Sequence, residues 1–161
     1  MRCARAGIVA FIALAMAVAV VAQAANLFSQ NLLFTRAQTE VSFWGRGDYR
    51  PDEETIRRTS ELLNDLLVSE PAHPDYLGLQ ANATVWLAYW SAHDDREQYA
   101  QRAINIQYAA LLPRPAHRHS WVKLAEYLSR TGARSEGSEQ RAQLAAMAQT
   151  KLSALLAGTP R

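Results

Sequence analysis

The chain has 161 residues and a formal net charge of +2, which leaves room for one modest domain once an N-terminal segment is set aside. Its basic residues are nearly all arginine and lie scattered, without the stripe or arm that a nucleic-acid partner requires. Proline and glycine are sparse and alanine and leucine abundant, a balance that favours an all-α fold.

The first element follows Arg2 and Arg5. Residues 7–25, GIVAFIALAMAVAVVAQAA, carry no charge, and such a run is close to the ~20 residues that cross a bilayer as a helix. Arginines stand before it and none follows until Arg36, so the N-terminus is expected to stay cytoplasmic and the remainder to cross. That reading gives a single-pass inner-membrane protein with its C-terminal domain in the periplasm. The alternative is a signal peptide cleaved after Ala24, because Ala22-Gln23-Ala24 has the small-x-small pattern of a cleavage site. Against cleavage, no proline or glycine interrupts the chain from Ala25 to Gly45. Leu27, Phe34 and Val41 recur at heptad spacing, with Phe28, Ala37 and Trp44 beside them, so residues 26–44 read as a helical extension of the anchor. The lone cysteine, Cys3, precedes the apolar run and has no second thiol to pair with.

Gly45, Gly47, Asp48 and Pro51 make the first break. Arg46-Gly47-Asp48 spells an adhesion tripeptide, and the plainer reading is a turn. Asp52 is placed to cap a helix whose first turn holds Glu53 and Glu54. The helical body is expected over residues 53–157 and about five helices. The first runs to Ser69, with Ile56, Leu62, Leu63, Leu66 and Leu67 on one face, and Pro71 and Pro74 stop it. The second, from about Asp75 to Ala92, is expected to turn Leu79, Ala83, Trp86, Leu87 and Trp90 inward. Asp94 or Asp95 is expected to cap a third that ends near Leu112, before Pro113 and Pro115. A fourth begins near Ser120, carries Trp121, Leu124, Ala125 and Leu128, and closes at Gly132. The last spans about Ser135 to Ala157, with Leu144, Met147, Ala148, Leu152 and Leu155 as its seam.

Paired helices with prolines between them invite a repeat test. Counted from Pro115 as a terminating proline, Trp121 takes the fourth position of a tetratricopeptide unit, Leu124 the seventh, Ala125 the eighth and Leu128 the eleventh. Counted from Pro71, Leu77 takes the fourth, Ala81 the eighth and Thr84 the eleventh. The helix between them is too long for the pattern, so the array reads as degenerate. An N-terminal membrane segment, such a body and the closing stretch RPAHRHSWVKLAEYLSRTG together resemble the VpsP-type family of small proteins associated with bacterial exopolysaccharide biosynthesis. Pro115, Trp121, Leu124 and Ala125 reproduce its proline-rich turn into a Trp-x-x-Leu-Ala helix. The resemblance implies a periplasmic accessory protein acting on other proteins of a polysaccharide synthesis or export assembly. It brings no catalytic residues with it.

No cofactor motif, phosphate loop or convergent ligand set is legible. His117 and His119 lie two apart in an expected loop with Arg114 and Arg118, whereas a zinc site needs three or four convergent ligands. Ser91 with His93, and Asp94 and Asp95 near Glu97, do not make a nucleophile–base or acid–base pair from sequence alone. Asn82-Ala83-Thr84 matches a glycosylation sequon but falls mid-helix. Tyr89 diverges by about 100° from its neighbours on the helix, so it is expected to point outward near arginines, able to stack on a sugar or hold a partner helix. The candidate interaction surface is therefore Tyr89, Arg114, His117, Arg118 and His119. The expected function is a membrane-anchored scaffold. A secreted soluble helical binding module and a polysaccharide-modifying enzyme are the alternatives, and an aromatic groove without convergent carboxylates favours the scaffold over the enzyme.

Overall fold

The computed structural model describes residues 2–130 and 138–157, and these are all-helical, with no strand among them. Six helices follow in order: α1 Arg2–Phe43, α2 Glu53–Ser69, α3 Pro74–Trp90, α4 His93–Leu111, α5 Arg118–Arg130 and α6 Ser138–Ala157. The chain divides into two compact units, Met1–Arg36 and Ala37–Arg161.

The first unit is helical throughout its described length. The segment Phe11–Phe43 of α1 is long and apolar enough to cross a membrane. From Phe11 to Val21 its side chains are uniformly exposed, including Phe11, Leu14, Met16 and Val18. An alanine-rich, charge-free stretch satisfies its own backbone as a helix, which is the condition for a single segment in lipid. Leu27 and Phe28 of the heptad seam are also exposed.

The second unit opens with the last turns of α1, where Ala37, Val41 and Trp44 are buried. Gly45 and Gly47 then both adopt positive φ, 74° and 56°, which glycine tolerates without a Cβ clash. The Gly45 N–H donates to the Tyr49 carbonyl at 3.1 Å and closes the turn spelled by Arg46-Gly47-Asp48. Asp52 caps α2 as expected, its carboxylate accepting the Thr55 N–H at 2.7 Å. Hydrogen bonding from the Thr55 side chain and then its backbone N–H holds the Asp52 carboxyl below its ordinary 3.8.

Each later helix packs on its neighbour in sequence, α2 on α3, α3 on α4, α4 on α5 and α5 on α6. Short connections join α2 to α3, α3 to α4 and α4 to α5. The core gathers Ala81 from α3, Ile104 and Leu111 from α4, Trp121, Leu124 and Tyr127 from α5, and Leu144 and Ala148 from α6. Helix α2 adds Ile56, Leu63 and Leu66, and Gln80 of α3 ties to it by donating to Ser60 Oγ and Asn64 Oδ1.

The structure corrects four local expectations. The inner face of α3 is Tyr76, Gln80, Ala81, Ala83, Thr84 and Ala88, so of the expected set only Ala83 is fully inside. Leu79, Trp86 and Leu87 are only partly buried, and Trp90 is 46% exposed. The reason is steric: α3 lies between α2 and α4, and small side chains on both flanks let helices approach closely. Neither Asp94 nor Asp95 caps α4. Its N-cap is Ala92, which makes no side-chain capping bond, and the helix starts at His93, ahead of both aspartates. Helix α5 begins at Arg118, earlier than Ser120. In α6, Met147 is exposed while Leu144 and Ala148 are buried in the core gathered around α5. The expected start of that helix at Ser135, and the Gly132 turn, lie outside the described residues.

Trp121 sits where the repeat count put a large core residue, 4% exposed, with its indole N–H donating to the Pro115 carbonyl at 2.8 Å. Trp121→Ala should destabilise the full chain in detergent by about 3–5 kcal/mol. Trp90→Ala should cost under ~1 kcal/mol, as for other exposed positions. Urea denaturation followed by circular dichroism measures both, and equal losses would refute this assignment of core and surface.

A Cβ at Gly45 would meet Trp86 Cζ2 at 3.3 Å, whereas one at Gly47 would meet nothing within 4 Å. Both alanine variants pay about 1–2 kcal/mol for the left-handed backbone. Gly45→Ala should therefore melt at a lower temperature than Gly47→Ala, and the reverse order would argue against the Gly45–Trp86 contact.

Candidate functional site

The C-terminal end of α3 carries a ladder of rings. Trp44, at the end of α1, meets Trp86 edge-on with centroids 6.1 Å apart. Trp86 meets Tyr89 at 6.0 Å, and Tyr89 meets Trp90 at 6.0 Å, again edge to face. Such T-shaped pairs satisfy the ring quadrupoles and fix the rings relative to one another. Tyr89 is 55% exposed, and its hydroxyl accepts a hydrogen bond from Arg50 Nη1 at 2.9 Å. The expectation of an outward tyrosine beside an arginine is met here, although the arginine comes from the turn before α2.

Two adjoining hollows share Val85, Tyr89, Tyr127 and Arg130. One, of about 320 Å3, extends over the start of α4 to Arg96 and Glu97. The other, of about 420 Å3, extends over the glycine turn and α5 to Trp44, Arg50, Trp86, Lys123 and Glu126. They form one cleft across the end of the helical body, and their volumes lie in the small-molecule range.

The cleft's ionic pattern is uneven. Glu126 takes both Lys123 and Arg130, at 3.0 and 2.7 Å, so one carboxylate is shared between two cations. Arg50 and Arg96 have no carboxylate partner among the described residues. Tyr127 forms part of the floor and is nearly buried. Burial, reinforced by the Glu126 charge, pushes its phenol well above the ordinary 10.0. At neutral pH it is thus a neutral phenol and not a base. Among the described residues, no group of three His, Cys, Asp or Glu side chains stands close enough to hold a metal ion.

The other sequence candidates lie elsewhere. Arg114 grips Asp75 with two parallel bonds, Nη1 to Oδ1 at 2.8 Å and Nη2 to Oδ2 at 2.9 Å, fastening the end of α4 to the first turn of α3. Its guanidinium is committed to a structural clamp and is not a free surface group. Asp75 and Tyr89 stand at opposite ends of α3, roughly 21 Å apart at 1.5 Å rise per residue. The five-residue surface read from sequence is therefore split in two. The loop reading of the histidine triplet also needs correction: Arg118 and His119 lie in the first turn of α5, and only His117 precedes it. His117 Nδ1 pairs with Ser120 Oγ at 2.8 Å, and its ring meets that of His119 at 6.3 Å. These are exposed residues at a helix start. The sequon is mid-helix, with Thr84 buried and its hydroxyl donating to the Gln80 carbonyl.

Sequence reasoning missed Arg50, Arg96, Lys123, Glu126, Tyr127 and Arg130 as a group because they come from three separate segments. One signal was available: Tyr89 lies two residues before, and Arg96 four residues after, the short turn at Ser91 and Ala92, so packing α3 on α4 brings both to the same end. Comparison with models of protein families, with curated proteins and with solved structures finds no match to this chain.

The raised Tyr127 phenol has a consequence at high pH. Between the unfolded value near 10.0 and its higher folded value, the native state holds a proton that the unfolded state releases. Stability therefore falls as pH rises through that window and is full below it. Tyr127→Phe should soften the alkaline loss seen in denaturation at pH 9 and 11. An unchanged slope would contradict the burial of this hydroxyl.

Proposed function

We propose that this chain is a membrane-anchored periplasmic accessory protein of exopolysaccharide synthesis or export, acting as a scaffold through protein–protein contacts. The observation that favours an accessory protein over an enzyme is the cleft at the end of α3. It is lined by Trp44, Trp86, Tyr89 and Tyr127, and its Glu126 carboxylate pairs with Lys123 and Arg130. A sugar-hydrolysing enzyme commonly sets two carboxyls across the scissile bond, whereas Glu126 faces Lys123 and Arg130 at 3.0 and 2.7 Å.

Attachment to the membrane is supported by the apolar α1 and by the arginine asymmetry around residues 7–25. The polysaccharide role rests on the resemblance carried by Pro115, Trp121, Leu124 and Ala125. Anchoring confines the body to a thin layer and raises its effective concentration towards membrane-bound partners.

The test uses a deletion strain of the source bacterium complemented with variants. The full-length protein should remain in the membrane fraction after a high-salt wash, and a mature N-terminus at Ala25 would sink the anchor. Replacing residues 1–25 with a cleavable signal should lower exopolysaccharide output more than His117→Ala with His119→Ala. The double-histidine protein should keep its output within a few-fold and its stability within about 0.5–1 kcal/mol. Loss of output from a folded double-histidine variant, with the anchorless protein still active, would replace the scaffold with a reactive or metal-binding site.

A further inference from the structure

We propose that the cleft at the end of α3 binds an anionic saccharide, with Tyr89 as the stacking platform and Arg50 and Arg96 as the carboxylate partners. Tyr89 lines both hollows, while Arg50 belongs to one and Arg96 to the other. An exposed ring thus stands between two cations that no carboxylate of the described residues neutralises.

The ring is already in place. Its hydroxyl is tied to Arg50, and Trp86 and Trp90 meet it edge-on from within α3. A platform ordered beforehand loses little side-chain entropy when a ligand arrives. The apolar C–H face of a pyranose packs on such a ring, and its hydroxyls find donors at the rim. A planar guanidinium matches a carboxylate with two parallel bonds. An acidic sugar presents an apolar face and a carboxylate a few ångströms apart, which is the pairing of ring and cation found here.

The balance of charge points the same way. Four cations, Arg50, Arg96, Lys123 and Arg130, line the cleft against two carboxylates, Glu97 and Glu126. A cleft lined by one dominant sign raises the local concentration of the opposite one. A partner helix would dock through apolar anchors repeated over several turns, whereas these hollows are of small-molecule size with charged rims. The choice of a saccharide among anions of this size rests on the exopolysaccharide reading, while the need for an anion with an apolar face does not.

The experiment titrates the full chain in lipid nanodiscs with a galacturonate tetramer, a neutral glucose tetramer and a tetraglutamate peptide. Intrinsic fluorescence reports binding, since Trp44, Trp86 and Trp90 belong to the ring ladder. The galacturonate tetramer should bind at least about tenfold more tightly than either control, and added salt should weaken it. Tyr89→Ala, and separately Arg50→Gln with Arg96→Gln, should each weaken it about tenfold or more, with melting temperatures kept. Arg114→Gln, at the far end of α3, should bind as the unaltered protein does. Equal binding of tetraglutamate would reduce the cleft to a charge patch and overturn the proposal. So would equal binding of the neutral sugar, absence of binding, or undiminished binding by the arginine variants. Exopolysaccharide output in the deletion strain bears on the scaffold reading alone, so the two failures are separable.

Discussion

Helix α3 is packed on two sides at once, by α2 and by α4, and that constraint shapes the rest of the body. A helix flanked in this way must be slim on both faces, and Ala81, Ala83, Thr84 and Ala88 meet the requirement. Tyr76 apart, its bulky aromatics lie off those faces. They are displaced to its C-terminal end, where Trp86, Tyr89 and Trp90 stack edge to face along one margin. The cleft is thus a by-product of close helix packing: large rings with no room between helices collect where the layer ends.

A second dependence runs through the turn after α1. Glu40 accepts from both the Trp44 indole N–H, at 3.1 Å, and the Tyr49 hydroxyl, at 2.8 Å. One carboxylate therefore pins the end of a helix to the residues that follow its glycine turn. The left-handed Gly45 lets the backbone pass against Trp86 without a side chain intervening. Arg50 emerges from this turn within reach of Tyr89. At the opposite end of α3, the Arg114–Asp75 clamp holds the α4–α5 connection. Both partners are about two-fifths exposed, so the pair contributes about 0–1 kcal/mol and serves mainly to set geometry.

Charge in the cleft follows from local arithmetic on α5. Lys123, Glu126 and Arg130 lie three and four residues apart, the spacings at which side chains meet on a helix. Glu126 is saturated by its own helix, which leaves the cations from the glycine turn and from the start of α4 uncompensated by it. This is why the exposed tyrosine has basic company from two directions although the chain as a whole is nearly neutral.

Much of the fold is legible in the sequence. The apolar run, the glycine turn, the Asp52 cap, the proline stops and the burial of Trp121 are decided within a few residues of sequence. Backbone angles, hydrogen-bond capping and periodicity operate over that range. The sequence by itself therefore determined an all-helical chain with an N-terminal helix apolar enough for a bilayer, and most helix boundaries to within a few residues. What it could not determine was which face of α3 is inner, because a periodic pattern assigns large apolar residues to a single buried stripe and α3 has two neighbours. Nor could it tell that Arg114 would clamp Asp75, at the end of α3 opposite Tyr89. Those outcomes depend on how helices distant in sequence are placed against one another, and only the tertiary structure decided them.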